Sequence, residues 1–288
     1  MKIARFASSL AACISVLSGS STLGATITLT AAADVTLYED ATGALANGGG
    51  ESIFAGRTGF NNNTIRRGLL LFDVTPIPAG ATITGASLQL TVLQANSGDE
   101  PMSLHRCSAS WTEGTAGADS GGASEGGGFQ ANEGDATWIH RSATTLLWAS
   151  AGGDFQSTPS ASLTVGFPGV YNWSTPEMVA DVQAWRANAS GNHGWLIRGN
   201  EPSTGSAKRF GSRTNSDVLA RPSLTITYTP PCFGDVNADG VINTADLTGL
   251  LAQFGTAVPV GTGGDLDGNG FVNTADLVGL LSVFGTSC

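Results

Sequence analysis

Through residues 26–229, apolar and polar side chains alternate in short runs. Segments 26–30 and 35–38 alternate, and in 87–92 Leu88, Leu90 and Val92 fall on one face with Ser87, Gln89 and Thr91 on the other. A period of two marks a strand with one buried side. Segment 69–74 is an almost unbroken apolar run, suited to a central strand. Further strands are predicted at 102–107, 163–167, 195–198 and 223–228, separated by Gly-rich turns. The expected architecture is mainly β, a jelly-roll-like β-sandwich and not a parallel sheet. One segment has a different period. Met178, Val179, Val182 and Trp185 recur at helical spacing, Thr175 can cap that helix, Pro176 suits its first position, and Glu177 opposes its dipole. Its stripe is expected to face the core. Residues 112–134, rich in Gly, Ser, Ala and acids, read as a long surface loop.

Past Pro230 and Pro231 the pattern changes and repeats. GDVNADGVINTADL (234–247) and GDLDGNGFVNTADL (264–277) place Asp235 and Asp265 30 residues apart, an internal duplication. Each fits a twelve-residue calcium loop. The first offers Asp235, Asn237, Asp239, the Val241 carbonyl, Asn243 and Asp246 as ligands. The second offers Asp265, Asp267, Asn269, the Phe271 carbonyl, Asn273 and Asp276. Gly240 and Gly270 stand where the loop must turn sharply. All six charged residues of this tail are Asp at ligand positions. Three carboxylates crowded into each loop would repel one another without an ion, so two calcium ions are expected. A helix should follow each loop, with Leu247, Leu250, Leu251 and Phe254 on one stripe and Leu277, Leu280, Leu281 and Phe284 on the other. The two stripes are expected to pack together as a small core. Pro230, Pro231, Gly234 and Pro259 oppose a helix before either loop.

A loop followed by a helix, twice, with Asp at the twelfth position, resembles the type I dockerin family. The resemblance implies an all-α calcium-dependent attachment module over residues 230–288. It also implies a cohesin-like partner and a docking face including Thr244, Ala245, Thr274 and Ala275 just before the helices. Many dockerins carry Lys or Arg partway along these helices, where this chain has Ala252-Gln253 and Ser282-Val283.

A formal net charge of −10 argues against nucleic acid as a partner, because phosphate binding needs clustered positive charge. Lys2 and Arg5 before a short apolar stretch, with small residues to Ala25, read as a signal peptide over 1–25. Leu10-Ala11-Ala12-Cys13 also matches a lipoprotein cleavage box. No later apolar run is long enough to span a bilayer, so an exported protein is expected, secreted or attached to the cell surface. Export permits disulfides. Cys232 and Cys288 bracket the tail and would tie its ends together, leaving Cys107 as a buried small residue of a strand.

Several phrases of the large region resemble the DNRLRE-domain family. They are ADVTLYED (33–40), GRTG (56–59), RRGLLLFDV (66–74), IPAGATITGASLQL (77–90), LHRCSASWTEG (104–114), MVADVQAW (178–185), HGWLIRGNE (193–201), KRFGSR (208–213) and RPSLTITY (221–228). The resemblance spans nearly all of 26–229 and implies a β-sandwich similar to carbohydrate-binding modules that include alginate binders. A related module occurs in a polysaccharide-degrading disaggregatase. Arg57, Arg66, Arg67, Arg198, Lys208, Arg209 and Arg213 all lie in these phrases and could meet an anionic polysaccharide, or could pair with acids such as Asp73 and Glu201. The six Trp residues read as core. His105, His140 and His193 lack metal-ligand spacing, and no nucleophile elbow occurs. Glu113 with Glu133 or Asp135 could serve as an acid and base for glycoside hydrolysis, but such pairs arise by chance in any acidic chain, and no catalytic residue is assigned. The expectation is a non-catalytic polysaccharide binder with a calcium-dependent attachment tail. A polysaccharide-degrading enzyme and a structural surface protein are the alternatives.

Overall fold

The computed structural model describes residues 24–59, 63–122 and 124–288. The expected signal peptide therefore lies outside the described residues but for Gly24 and Ala25. The chain divides into two compact units, Gly24–Pro231 and Cys232–Cys288. Among the described residues no helix is long and apolar enough to cross a membrane.

The first unit is mainly β. Its strands are β1 (Ala25–Thr30), β2 (Ala33–Tyr38), β3 (Leu45–Ala46), β4 (Ser52–Arg57), β5 (Ile65–Leu71), β6 (Thr82–Ala95) and β7 (Glu100–Arg106). They continue with β8 (Phe129–Gln130), β9 (His140–Ser142), β10 (Leu146–Leu147), β11 (Ala161–Val165), β12 (Gly169–Trp173), β13 (Trp195–Arg198), β14 (Lys208–Gly211) and β15 (Ser223–Thr229). Eleven of them form one antiparallel sheet in the order β1-β15-β6-β14-β4-β5-β13-β7-β11, with β12 also on β6 and β2 also on β5. The long β6 pairs β15 and then β14 along one edge and β12 along the other.

The sheet is strongly curled. One core joins Leu88, Leu90 and Leu224 from β6 and β15 to Leu70, Leu104 and Ile197 from β5, β7 and β13. A second cluster, with Val35, Leu37, Leu69 and Leu196, packs on the other side of β2, β5 and β13 against Trp138 and Trp148. Alternate residues of β5 and β13 thus enter different cores, which is why both read as continuous apolar runs.

Helix α1 (Pro176–Ala187) starts as predicted, the Met178 amide donating to Thr175 Oγ1 at 3.2 Å. Met178, Val182 and Trp185 are fully buried in the first core. The acid Asp181 is buried beside them, accepting from Ser160 Oγ at 2.6 Å and Trp195 Nε1 at 2.8 Å. Strands β4, β12 and β14 were not legible as strands. Nearly every β4 side chain is buried, so it does not alternate, and β14 carries a buried Lys208. Segment 112–134 is more than a surface loop: Ala116 and Glu125 are buried, and the Tyr38 hydroxyl donates to the Glu125 carbonyl at 2.6 Å.

The second unit holds α2 (Thr244–Ala252) and α3 (Thr274–Ser282). Its core is Ile242, Leu250, Val272 and Leu280, with Val236, Leu247, Leu266 and Leu277 partly buried around them. The expected stripes are only half used. Leu251, Phe254, Leu281 and Phe284 remain 40–52% exposed, because the loop residues Ile242 and Val272 fill the space between the helices' inner edges. Each loop pairs with the segment that follows the other loop's helix. Ile242 N–H donates to Thr286 O at 2.9 Å, and Val272 N–H to Thr256 O at 3.0 Å. Cys232 and Cys288 form the expected disulfide, with Cα atoms 5.6 Å apart. Cys107 is free and buried, and that burial pushes its thiol pKa up.

Candidate functional site

Two acidic triads lie in the second unit. Carboxylate oxygens of Asp235, Asp239 and Asp246 fall within 4.8 Å of one another, as do those of Asp265, Asp267 and Asp276. The backbone holds both triads in the same way. Asp235 accepts from the Asp239 and Gly240 amides at 3.1 and 2.8 Å, and Asp265 from those of Asn269 and Gly270 at 3.1 and 2.9 Å. Gly240 and Gly270 have φ of 86° and 82°, the left-handed region that a residue with a Cβ enters at a cost.

Asp246 and Asp276 each do two jobs. Asp246 accepts from the Val236, Asn237 and Asn243 amides at 2.8, 3.1 and 2.8 Å. Asp276 accepts from those of Leu266, Asp267 and Asn273 at 2.7, 3.1 and 2.8 Å. Each is also the third helical residue of a capping box whose cap is Asn243 or Asn273. The two Asn side chains thus take a part the ligand assignment did not foresee. Their Oδ1 atoms accept from the Ala245 and Ala275 amides at 2.7 and 2.8 Å. Their Nδ2 groups donate to the Val241 and Phe271 carbonyls at 3.0 and 3.2 Å. Thr244, Ala245, Thr274 and Ala275 are exposed, and they form the first turns of the helices instead of preceding them.

Burial alone would raise the Asp246 pKa, but the amides of Asn243, Asn237 and Val236 outweigh it and hold the carboxyl below its ordinary range. For Asp265 burial is likewise outweighed by the Gly261, Gly270 and Asn269 amides. Both stay ionised at neutral pH. Cys232 and Cys288 lie beside Asp235, but their sulfurs are bonded to each other and neither is a thiolate. The donors are therefore all oxygen, which fits a hard cation and not a soft one. Both triads could hold metal ions.

In the first unit the seven basic residues do not converge on one groove. Arg67 and Arg198 meet at Glu201, with N–O distances of 2.6 and 2.8 Å, and Arg57 donates to the carbonyl of the same residue. Arg67 also lies over the Trp138 ring, 4.9 Å from its centroid. Burial would raise the Glu201 pKa, but the two guanidiniums hold it below the ordinary value. Lys208 is buried and donates to the Ser97 and Gly98 carbonyls at 2.7 and 2.6 Å. Arg213 grips Glu113 with two N–H groups. Asp73 pairs with no cation among the described residues and accepts from Thr75 instead. Glu113 is thus held by Arg213, while Asp135 is fully buried and accepts from the Thr115 and Asn132 amides.

Arg66 and Arg209 do share a site. They line a cleft of about 370 Å³ together with Phe54, Gln94, Asn96 and the stretch Glu125, Gly126 and Gly127. Gln94, Arg209 and Phe54 stand in register across β6, β14 and β4, on the face opposite the core residues Val92, Phe210 and Ile53. The 112–134 segment supplies the glycine wall. Sequence reasoning missed Gln94, Asn96 and Glu125, since an amide at a strand end and an acid among glycines carry no signal of their own. No protein-family model matches the chain, and no curated protein matches it.

Proposed function

We propose that this is an exported, non-catalytic polysaccharide-binding protein attached to a partner through a calcium-held tail. In this reading the first unit is a DNRLRE-type β-sandwich and the second a type I dockerin-like module. The observation that carries the proposal is the pair of acidic triads, set 30 residues apart and held by the same backbone frame. Two crowded carboxylate sets with oxygen-only donors suit calcium, which takes six to eight oxygens. The Cys232–Cys288 disulfide accords with an oxidising, extracellular setting. The exposed first turns at Thr244, Ala245, Thr274 and Ala275 offer a docking face for a cohesin-like domain or another scaffold.

Calorimetric titration of the chelated full chain with calcium tests this directly. Two ions should bind per chain, one remaining after Asp235→Ala and neither after Asp235→Ala with Asp265→Ala. A chain that takes up no calcium would overturn the attachment reading. Release of reducing or unsaturated sugar ends from a polysaccharide would overturn the non-catalytic one.

A further inference from the structure

We infer that the cleft over β4, β5, β6 and β14 is a sugar subsite for a neutral, hydroxyl-rich unit, and that it discriminates against uronate and sulfated sugars. This rests on the polysaccharide reading above and adds to it a place and a charge class. The cleft volume of about 370 Å³ suits a short sugar segment. Gln94 near the end of β6 and Asn96 just past it lie two residues apart, both exposed, with no side-chain hydrogen bond among the described residues. Each amide offers donors and acceptors together, the mixture that hydroxyl groups need. Gly126 and Gly127 put bare backbone on the facing wall, so a pyranose ring can approach closely.

The cleft's two guanidiniums are already engaged. Arg66 is buried, donates four hydrogen bonds to Gly126, Thr64 and Ile65, and lies 4.6 Å over the Tyr38 ring. Arg209 donates to Ser52 Oγ and the Gly122 carbonyl at 2.7 and 3.2 Å. The Glu125 carboxylate in the same cleft is buried, its Oε2 has no hydrogen-bond partner among the described residues, and it pairs with Arg209 at 3.6 Å. A second anion entering here would compete with Glu125 for Arg209 and would meet its charge in a medium that screens poorly. A hydroxyl meets no such opposition.

The test is retention of the calcium-loaded full chain on gels of neutral polysaccharides (mannan, xylan, galactan, glucan) and acidic ones (alginate, pectate, a sulfated galactan). At least one neutral gel should retain it, equally at about 0.05 M and about 0.5 M NaCl, because no ion pair is being screened. Gln94→Ala with Asn96→Ala should weaken that retention at least about tenfold with an unchanged circular dichroism spectrum. Salt-sensitive retention on acidic gels alone would overturn the neutral assignment and keep the polysaccharide reading. Neutral retention that the double variant leaves intact would overturn the site. Retention on no gel would overturn the polysaccharide reading itself, and the subsite with it.

Discussion

Asp34 shows how one buried group can couple two residues that look unrelated along the chain. Its Oδ2 accepts from the Arg213 amide at 2.6 Å, and its own amide donates to Glu113 at 2.8 Å, while Arg213 grips Glu113. Arg213 was a candidate cation for glycan and Glu113 a candidate acid for hydrolysis, and the fold spends each on the other. Burial pushes the Asp34 pKa up to about 8, opposed by the Arg213 amide and reinforced by the Glu113 charge. The folded state therefore holds a proton that the unfolded chain releases near 3.8. The stability from that proton is complete below the unfolded value and is lost as pH rises toward about 8. Asp34→Asn keeps an acceptor for the Arg213 amide but cannot ionise. Urea midpoints of the variant should fall less steeply than those of the native chain over this pH window, and parallel curves would refute the assignment.

The two loops are duplicates that differ at one telling place. Ala238 has φ of 61°, and its counterpart Gly268 has 73°. A left-handed conformation costs an L-residue roughly 1–2 kcal/mol more than it costs glycine, partly offset by the greater freedom of glycine in the unfolded chain. Ala238→Gly should therefore stabilise the calcium-loaded tail by up to about 1 kcal/mol, and Gly268→Ala should destabilise it by a similar amount. Thermal melts of the two variants check the pair, and shifts of the same sign would show that the loops are not equivalent. The helices carry a related lesson. Their apolar period was legible from Leu247 to Phe254 and again from Leu277 to Phe284. Which half of each stripe would be covered was not, because Ile242 and Val272 enter the core from the loops and leave Leu251 and Leu281 outside.

The two compact units rest on different forces. The first has two hydrophobic clusters containing five buried tryptophans between them, and among the described residues six of its arginines pair with its own acids. The second has four fully buried apolar side chains, too few to hold so small a unit without staples. Its staple is the disulfide, which acts on the first loop, and ions held by the two triads would be the others. The Cys288 amide donates to the Gly240 carbonyl at 3.1 Å, and its sulfur lies 3.5 Å from Asp235 Oδ2. Chelation with reduction should therefore abolish the tail's melting transition in calorimetry and leave that of the first unit in place. A single transition that shifts as a whole under the same treatment would contradict this division.

Periodicity and spacing were enough to place most strands, the α1 helix, the duplicated loops and the Cys232–Cys288 tie. Most of those features depend on neighbours along the chain: alternation reports a face, and three Asp at ligand spacing in each loop report a crowded charge. Folding alone settled the curl of the sheet, the buried partners of the basic residues and the cleft over β6 and β14. In each of these, groups far apart in sequence meet, as Arg67 meets Glu201 and Arg209 meets Glu125. A charged side chain in a sequence does not say whether it faces a ligand or a counter-ion. Only the approach of the other chain segment, and the water it excludes, makes that choice.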